Sequence, residues 1–171
     1  MKPGLSQRIC TADKAVQLVI HSLVDPIKAL SLDAETEQNT SYDMRLIGRR
    51  HVRSNNSWMH NSHRLVKGPV RYHALVHPSD MERLGIEDGG LIEVETRVGK
   101  ERIAVKASDE VMQGVVSIPH GWGHNRSGTR LNIAEQHAGV SVNDLVDDKV
   151  YDPVTGNAAL NGVLCRISAV D

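Results

Sequence analysis

Between residues 91 and 107, apolar and charged side chains alternate on both sides of Val98-Gly99-Lys100. That pattern predicts a hairpin of strands 91–97 and 101–107. Ile92, Val94 and Thr96 would face Ile103, Val105 and Ala107, with the charged residues outside. Four more short runs have the same strand-like content, at 44–52, 72–77, 115–118 and 162–170. The chain has no Phe and only 3% aromatic residues, so its core must be built from Val, Ile, Leu, Ala and Met. Branched aliphatics favour strands. Pro78 suits the first position of one short helix, 79–84, with Gly85 as its terminator. Six short strands with no alternating long helices predict a mainly β, small closed barrel.

The first 43 residues read differently. Val16, Val19, Ile20 and Leu23 recur at helical spacing, with Thr11 as N-cap, and predict a helix over 11–24 that Asp25-Pro26 ends. Residues 27–32 would add a turn, and the polar run 33–42 reads as a linker. We therefore expect a helical extension, 1–43, ahead of a barrel domain, 44–171. Cys10 and Cys165 belong to no metal-spaced cluster and read as reduced thiols. No apolar run approaches bilayer length and no secretory pattern opens the chain, so the expectation is a cytoplasmic protein with no membrane contact.

Charge is segregated along the chain. The whole carries 20 Lys+Arg against 21 Asp+Glu, yet no Asp or Glu lies between Asp43 and Asp80. Arg45, Arg49, Arg50, Arg53, Arg64, Lys67 and Arg71 all fall in that interval. A second acid-free stretch, 111–134, carries His120, His124, Arg126 and Arg130. Both stretches include a long polar loop, and loops at one end of a closed barrel can converge on one ligand. Together they would make a surface suited to a polyanion such as a phosphorylated cofactor.

The string HPSDMERLGIEDGGLIEVETRVGKERIAVKASDEVMQGVVSIPHGWGHN, residues 77–125, resembles the C-terminal domain of molybdopterin-dependent oxidoreductases, among them formate dehydrogenases, nitrate reductases and dimethyl sulfoxide reductases. The segments RRHVRSNNSWMHN, VSVNDLVDD and DPVTGNAALNGV extend the resemblance in the family's order, over residues 44–167. It implies a six-stranded double-psi β-barrel, like that of aspartate decarboxylase, with short helices. It also implies a molybdopterin guanine dinucleotide cofactor holding molybdenum or tungsten. The chain has no CxxC-type motif. An iron–sulfur cluster is therefore expected only in upstream parts of a parent enzyme, and this chain alone is not expected to be catalytic. Its partners would be upstream domains of the same polypeptide, or a partner subunit that completes the pocket.

Pyrophosphate calls for guanidinium groups, and a pterin edge calls for groups that both donate and accept, as amides do. Arg49, His51 and Arg53 share one strand face, and the resemblance sets that strand end against the cofactor. The plainer reading is a solvated basic edge. Ser54, Asn55 and Asn61 are cofactor candidates too, although Ser and Asn also make ordinary turns. Trp58 is either a core plug or a lid over the pterin. His60 follows as a further candidate. In His120-Gly121-Trp122-Gly123-His124 the glycines let backbone approach a ligand, so His120, Gly121, Trp122 and His124 join the set. The resemblance carries over Asn143, Asn161 and Asn157, whose alternative is turn or cap chemistry.

Other functions compete less well. A small zinc protein would need three or four ligands in fixed geometry, and no Cys or carboxylate neighbours these histidines. A self-processing decarboxylase needs a Gly-Ser bond, and the chain has none. A stand-alone protein-recognition barrel would need a partner groove that no residue pattern specifies. Nucleic-acid binding is disfavoured by balanced charge and by having two Trp and three Tyr for stacking.

Overall fold

The computed structural model describes residues 4–29 and 41–170. They form two compact units: 4–29 with 152–157, and 41–151 with 158–170.

The first unit holds two helices, α1 (Leu5–Arg8) and α2 (His21–Ala29). The helix expected over 11–24 does not form there. Residues 15–20 carry no regular structure, and α2 starts later and runs through Pro26. The reason is packing: Val16, Leu18 and Val19 are 60%, 88% and 62% exposed. Helical spacing in a β-branched run has little to stabilise it when its apolar face is not buried. The expected linker, 33–42, lies outside the described residues except for its last two.

The second unit is the barrel. Its strands are β1 (Met44–Arg49), β2 (Ala74–Val76), β3 (Leu91–Thr96), β4 (Lys100–Ala107), β5 (Val115–Pro119) and β6 (Val163–Ala169). They close in the order β1-β5-β2-β4-β3-β6, so both edges of every strand are paired. β1 runs parallel to β5 and β2 parallel to β4, while β5 and β2 are antiparallel. Thus β5 sits between β1 and β2, which one connection joins, and β2 sits between β4 and β5, which another joins. Two such interlocked crossings make this a double-psi β-barrel.

The hairpin forms as its alternation demands. Ile92 pairs with Ile103, and Ile92, Val94, Thr96, Ile103 and Val105 are all buried. They meet Met44, Leu46, Val116, Ile118, Cys165 and Ile167 in one core. Each such aliphatic contributes about 1.5–3 kcal/mol by leaving water. Strand 44–52 stops early, at Arg49. The His120 N–H donates to the Arg49 carbonyl at 2.9 Å as the last rung. Past it the β1–β5 ladder ends, and residues 50–52 have no strand partner.

Helix α3 (His63–Val66) interrupts the first long loop, and α4 (Pro78–Leu84) follows β2. Pro78 opens α4, His77 Nδ1 accepts from the Ser79 N–H at 3.1 Å, and Gly85 closes it at φ 65°. Asp80 does not belong to the solvated face that its sequence context predicts, whereas Asp88 is exposed as expected and is also tied to backbone. Asp80 is 6% exposed and accepts from the Gly114 N–H at 2.7 Å. Asp88 accepts from the Ala107 N–H at 2.7 Å. Backbone donors at the ends of strands need acceptors, and these carboxylates supply them. No described helix is long and apolar enough to cross a membrane.

Candidate functional site

The parallel register of β1 with β5, Arg49 opposite Pro119, decides where the two acid-free loops go. Residues 50–62 and 120–128 leave the barrel side by side at one end. Neither loop contains a strand, yet the two interlock. His60 is fully buried, and its Nδ1 lies 2.8 Å from His124 Nε2. Its ring stacks on Trp122, centroids 3.6 Å apart and planes within 19°. Tyr72 packs on the Trp122 ring at 5.1 Å. Asn61 Oδ1 accepts from the Ile133 and Ala134 N–H groups at 3.1 and 3.2 Å. Gly121 lies against the Asn56 backbone, at φ 91°.

The two histidines share a hydrogen bond rather than an ion. Two nitrogens on one tetrahedral zinc would stand about 3.3 Å apart, given bonds of about 2.0–2.1 Å. No group of three or more His, Cys, Asp or Glu among the described residues is arranged to hold a metal. Burial, then the neighbouring His124 and Arg71, pushes His60 down to about 4, against a smaller opposing effect of the Gly121 backbone. Burial lowers His124 as well. Both rings are therefore neutral near pH 7, one donating and the other accepting.

Cations surround this clasp. Arg49 is a brace: its Nη1 donates to the Ser117 carbonyl at 3.0 Å and its Nη2 to the His73 carbonyl at 2.8 Å. Arg50 donates to Asn56 Oδ1 at 2.9 Å, and Arg53 to the Arg64 carbonyl at 3.3 Å. Among the described residues, none of Arg49, Arg50, Arg53, Arg64 and Arg71 is ion-paired with a carboxylate. A cleft of about 450 Å³ opens beside them, lined by Arg49, His51, Arg71, His73 and Lys106 together with Val70, Leu75, Asp109 and Glu110. Desolvation, then Arg71, Arg49 and Arg53, hold His51 below its ordinary value. Burial, then Arg49 and Lys106, do the same to His73, with Asp88 opposing. Burial and Arg50 lower His120.

The residues expected at the site fall into three groups. Arg53, Asn55, Trp58 and His51 reach the loop surface, with Trp58 84% exposed, so it is no core plug. Ser54, His60, Trp122 and His124 are buried within the clasp or its loop, and Arg49, Asn61, His120 and Gly121 tie its parts together. Asn161 is at the same end, where its Oδ1 accepts from the Gly48 N–H at 2.8 Å. Asn143 is exposed on a 3-10 turn, Val142–Leu145, beside Asp144, which pairs with Arg126. Asn157 belongs to the 152–157 turn of the other unit, where its carbonyl accepts from the Asp152 N–H at 2.8 Å. Sequence reasoning misses Arg71, His73 and Lys106 as lining residues. Arg71 carries a signal, since it lies in the first acid-free stretch. Lys106 carries none, being one of several outward charges on the hairpin.

The arrangement fits a phosphorylated dinucleotide. The loops offer guanidinium groups without carboxylate partners, exposed amides and an exposed indole, and the buried Arg71 Nε has no hydrogen-bond partner among the described residues. Residues 44–164 match the family model described as the molydopterin dinucleotide binding domain. The chain belongs to that family. It is 27% identical over 112 residues to a tetrathionate reductase polypeptide of Salmonella typhimurium, a match covering 56% of this chain and 11% of that protein. It is 29% identical over 126 residues to the molybdopterin-containing polypeptide of the arsenate respiratory reductase of Chrysiogenes arsenatis, covering 70% of this chain and 15% of that one. Acetylene hydratase from Pelobacter acetylenicus superposes with a TM-score of 0.64 at 23% identity, over 91% of this chain and 21% of that chain. That likeness is one of fold. The dinucleotide-binding domain thus spans a small share of the length of each of these proteins.

Proposed function

We propose that this domain binds the guanine form of the molybdopterin dinucleotide at the mouth built by residues 49–61 and 120–124. It would do so as the C-terminal part of a larger molybdenum- or tungsten-dependent oxidoreductase. The observation that carries this reading is the convergence of two carboxylate-free loops at one end of the barrel. Arg50 and Arg53 meet the pyrophosphate as charge-assisted donors. Asn55 and Trp58 present an amide and a ring face to the heterocycles, and Asn161 fixes the β1 backbone beneath them. The metal held by the cofactor supplies the redox chemistry, while this chain binds, orients and sets the local field. Two relatives are named as reductases and one as molybdopterin-containing, which supports the oxidoreductase reading.

Remaining domains of the parent protein, or a partner subunit, complete the pocket. Val52 and Trp58, 87% and 84% exposed on the cationic loop, suit contact with them. The free thiols of Cys10 and Cys165 suit the cytoplasm.

Titration of the chain with guanosine diphosphate, the cofactor's nucleotide end, tests the site. Binding should weaken steeply with salt, and the double substitution Arg50→Glu/Arg53→Glu should lower affinity at least about tenfold, equal to about 1.4 kcal/mol. Equal affinity in wild type and variant, or no binding by wild type, would overturn the assignment.

A further inference from the structure

We infer that His60 and Asn61 are positioning residues: they clasp the 120–137 segment so that it and the 52–61 loop form one pre-ordered wall. The inference rests on the reading that this mouth takes the cofactor, and it changes what these two side chains do there.

Each side chain already holds another part of the chain. His60 has no exposed surface, and Trp122 covers one ring face at 3.6 Å. Its Nδ1 is engaged by His124 at 2.8 Å. The Asn61 carboxamide oxygen already accepts two backbone N–H groups, from Ile133 and Ala134. Those two groups open the 3-10 turn Ala134–His137, and that turn brings His137 within 6.3 Å of the Tyr72 ring. Adjacent residues thus reach two separate points of a segment more than sixty positions away. Gly121 is pressed on the Asn56 backbone between them.

Such a clasp has a clear physical use. The 52–61 loop is turn throughout and has no ladder to hold it. Ordering such a loop only when ligand arrives costs conformational entropy at every residue fixed. A loop ordered beforehand leaves that term out of the binding free energy. The neutral pair suits the task, since a charged imidazole next to Arg71 would push the wall apart.

Hydrogen exchange on the whole chain tests this, alongside guanosine diphosphate affinity. In Asn61→Ala the Ile133 and Ala134 amides should lose protection, and Asn61→Asp, which keeps an acceptor oxygen, should restore it. In His60→Ala exchange should rise across 120–137 while the β3–β4 hairpin stays protected, and His60→Gln should recover part of the loss. Affinity should fall about three- to tenfold in each alanine variant, because ordering entropy returns to the binding step. A merely structural role would raise exchange in the hairpin as well. If His60→Ala unfolds, Asn61→Ala alone decides, since its side chain sits at the rim. Unchanged protection at Ile133 and Ala134, or loss spread evenly over the barrel, would overturn the clasp. Wild type that fails to bind the nucleotide would overturn the proposed site instead, and the exchange pattern would still judge the clasp.

Discussion

Gly121 is the residue on which the two loops close. A Cβ built there would stand 2.2 Å from the Asn56 carbonyl oxygen and 2.7 Å from its carbon. That obstacle is backbone, so it cannot swing aside, and φ 91° is unfavourable to any L side chain. Gly121→Ala should therefore destabilise the chain by about 2–4 kcal/mol, the range of severe overpacking with backbone strain. A urea midpoint that stays within error of wild type would refute this. The sequence reading expects glycine at 121 to let backbone come close to a ligand. The structure puts another loop of the same chain there, and one dimension gives no means of choosing between the two. The tryptophans show the same limit. Trp58 and Trp122 both lie in loops, and only the β1–β5 pairing makes one a buried stacking partner and leaves the other 84% exposed.

At the scale of elements, legibility followed burial. The hairpin of β3 and β4 was readable because one face is covered, so alternation had to match the pleat. Helix α4 was readable because its start and stop signals are local, in Pro78 and Gly85. The segment 11–24 misled because its apolar residues stay exposed in the described unit. Helices made for unlike reasons should fail differently, and α4 has a specific weak point in Asp80. Its Oδ2 accepts from the Gly114 N–H at 2.7 Å, and its Oδ1 accepts from Arg83 Nη2 at 3.2 Å. It thereby joins α4 to the residue just before β5. Asp80→Ala strands a backbone donor and should cost about 1–3 kcal/mol, while Asp80→Asn keeps an acceptor and should cost less. Thermal denaturation of the two variants side by side checks the order, and equal losses would show that the carboxylate matters for charge alone.

Over the whole molecule, strand number and closure were legible, but strand order was not. β1 finds β5 across more than sixty residues, and no local pattern records that choice. From the order follows the gathering of histidines at one end, and from that gathering a pH response. His51, His60, His73, His120 and His124 are all held below their ordinary value, His60 at about 4. Desolvation leads in each case. An unfolded chain takes up protons on these side chains once pH falls below about 6.5, the ordinary imidazole value. The folded chain does not take one on His60 until about 4. Between those limits the unfolded state binds more protons, so stability must fall as pH falls. It should be complete above about 6.5 and decline continuously toward about 4, with an onset well above the range in which most carboxylates titrate. The buried pair should contribute most of the slope and the exposed His51 little. Melting temperatures from pH 7.5 to 4.5 would measure this in wild type and in a His60→Gln/His124→Gln double variant. The variant should start less stable and show a flatter descent; a descent equally steep in both would assign the acid sensitivity to groups outside the clasp.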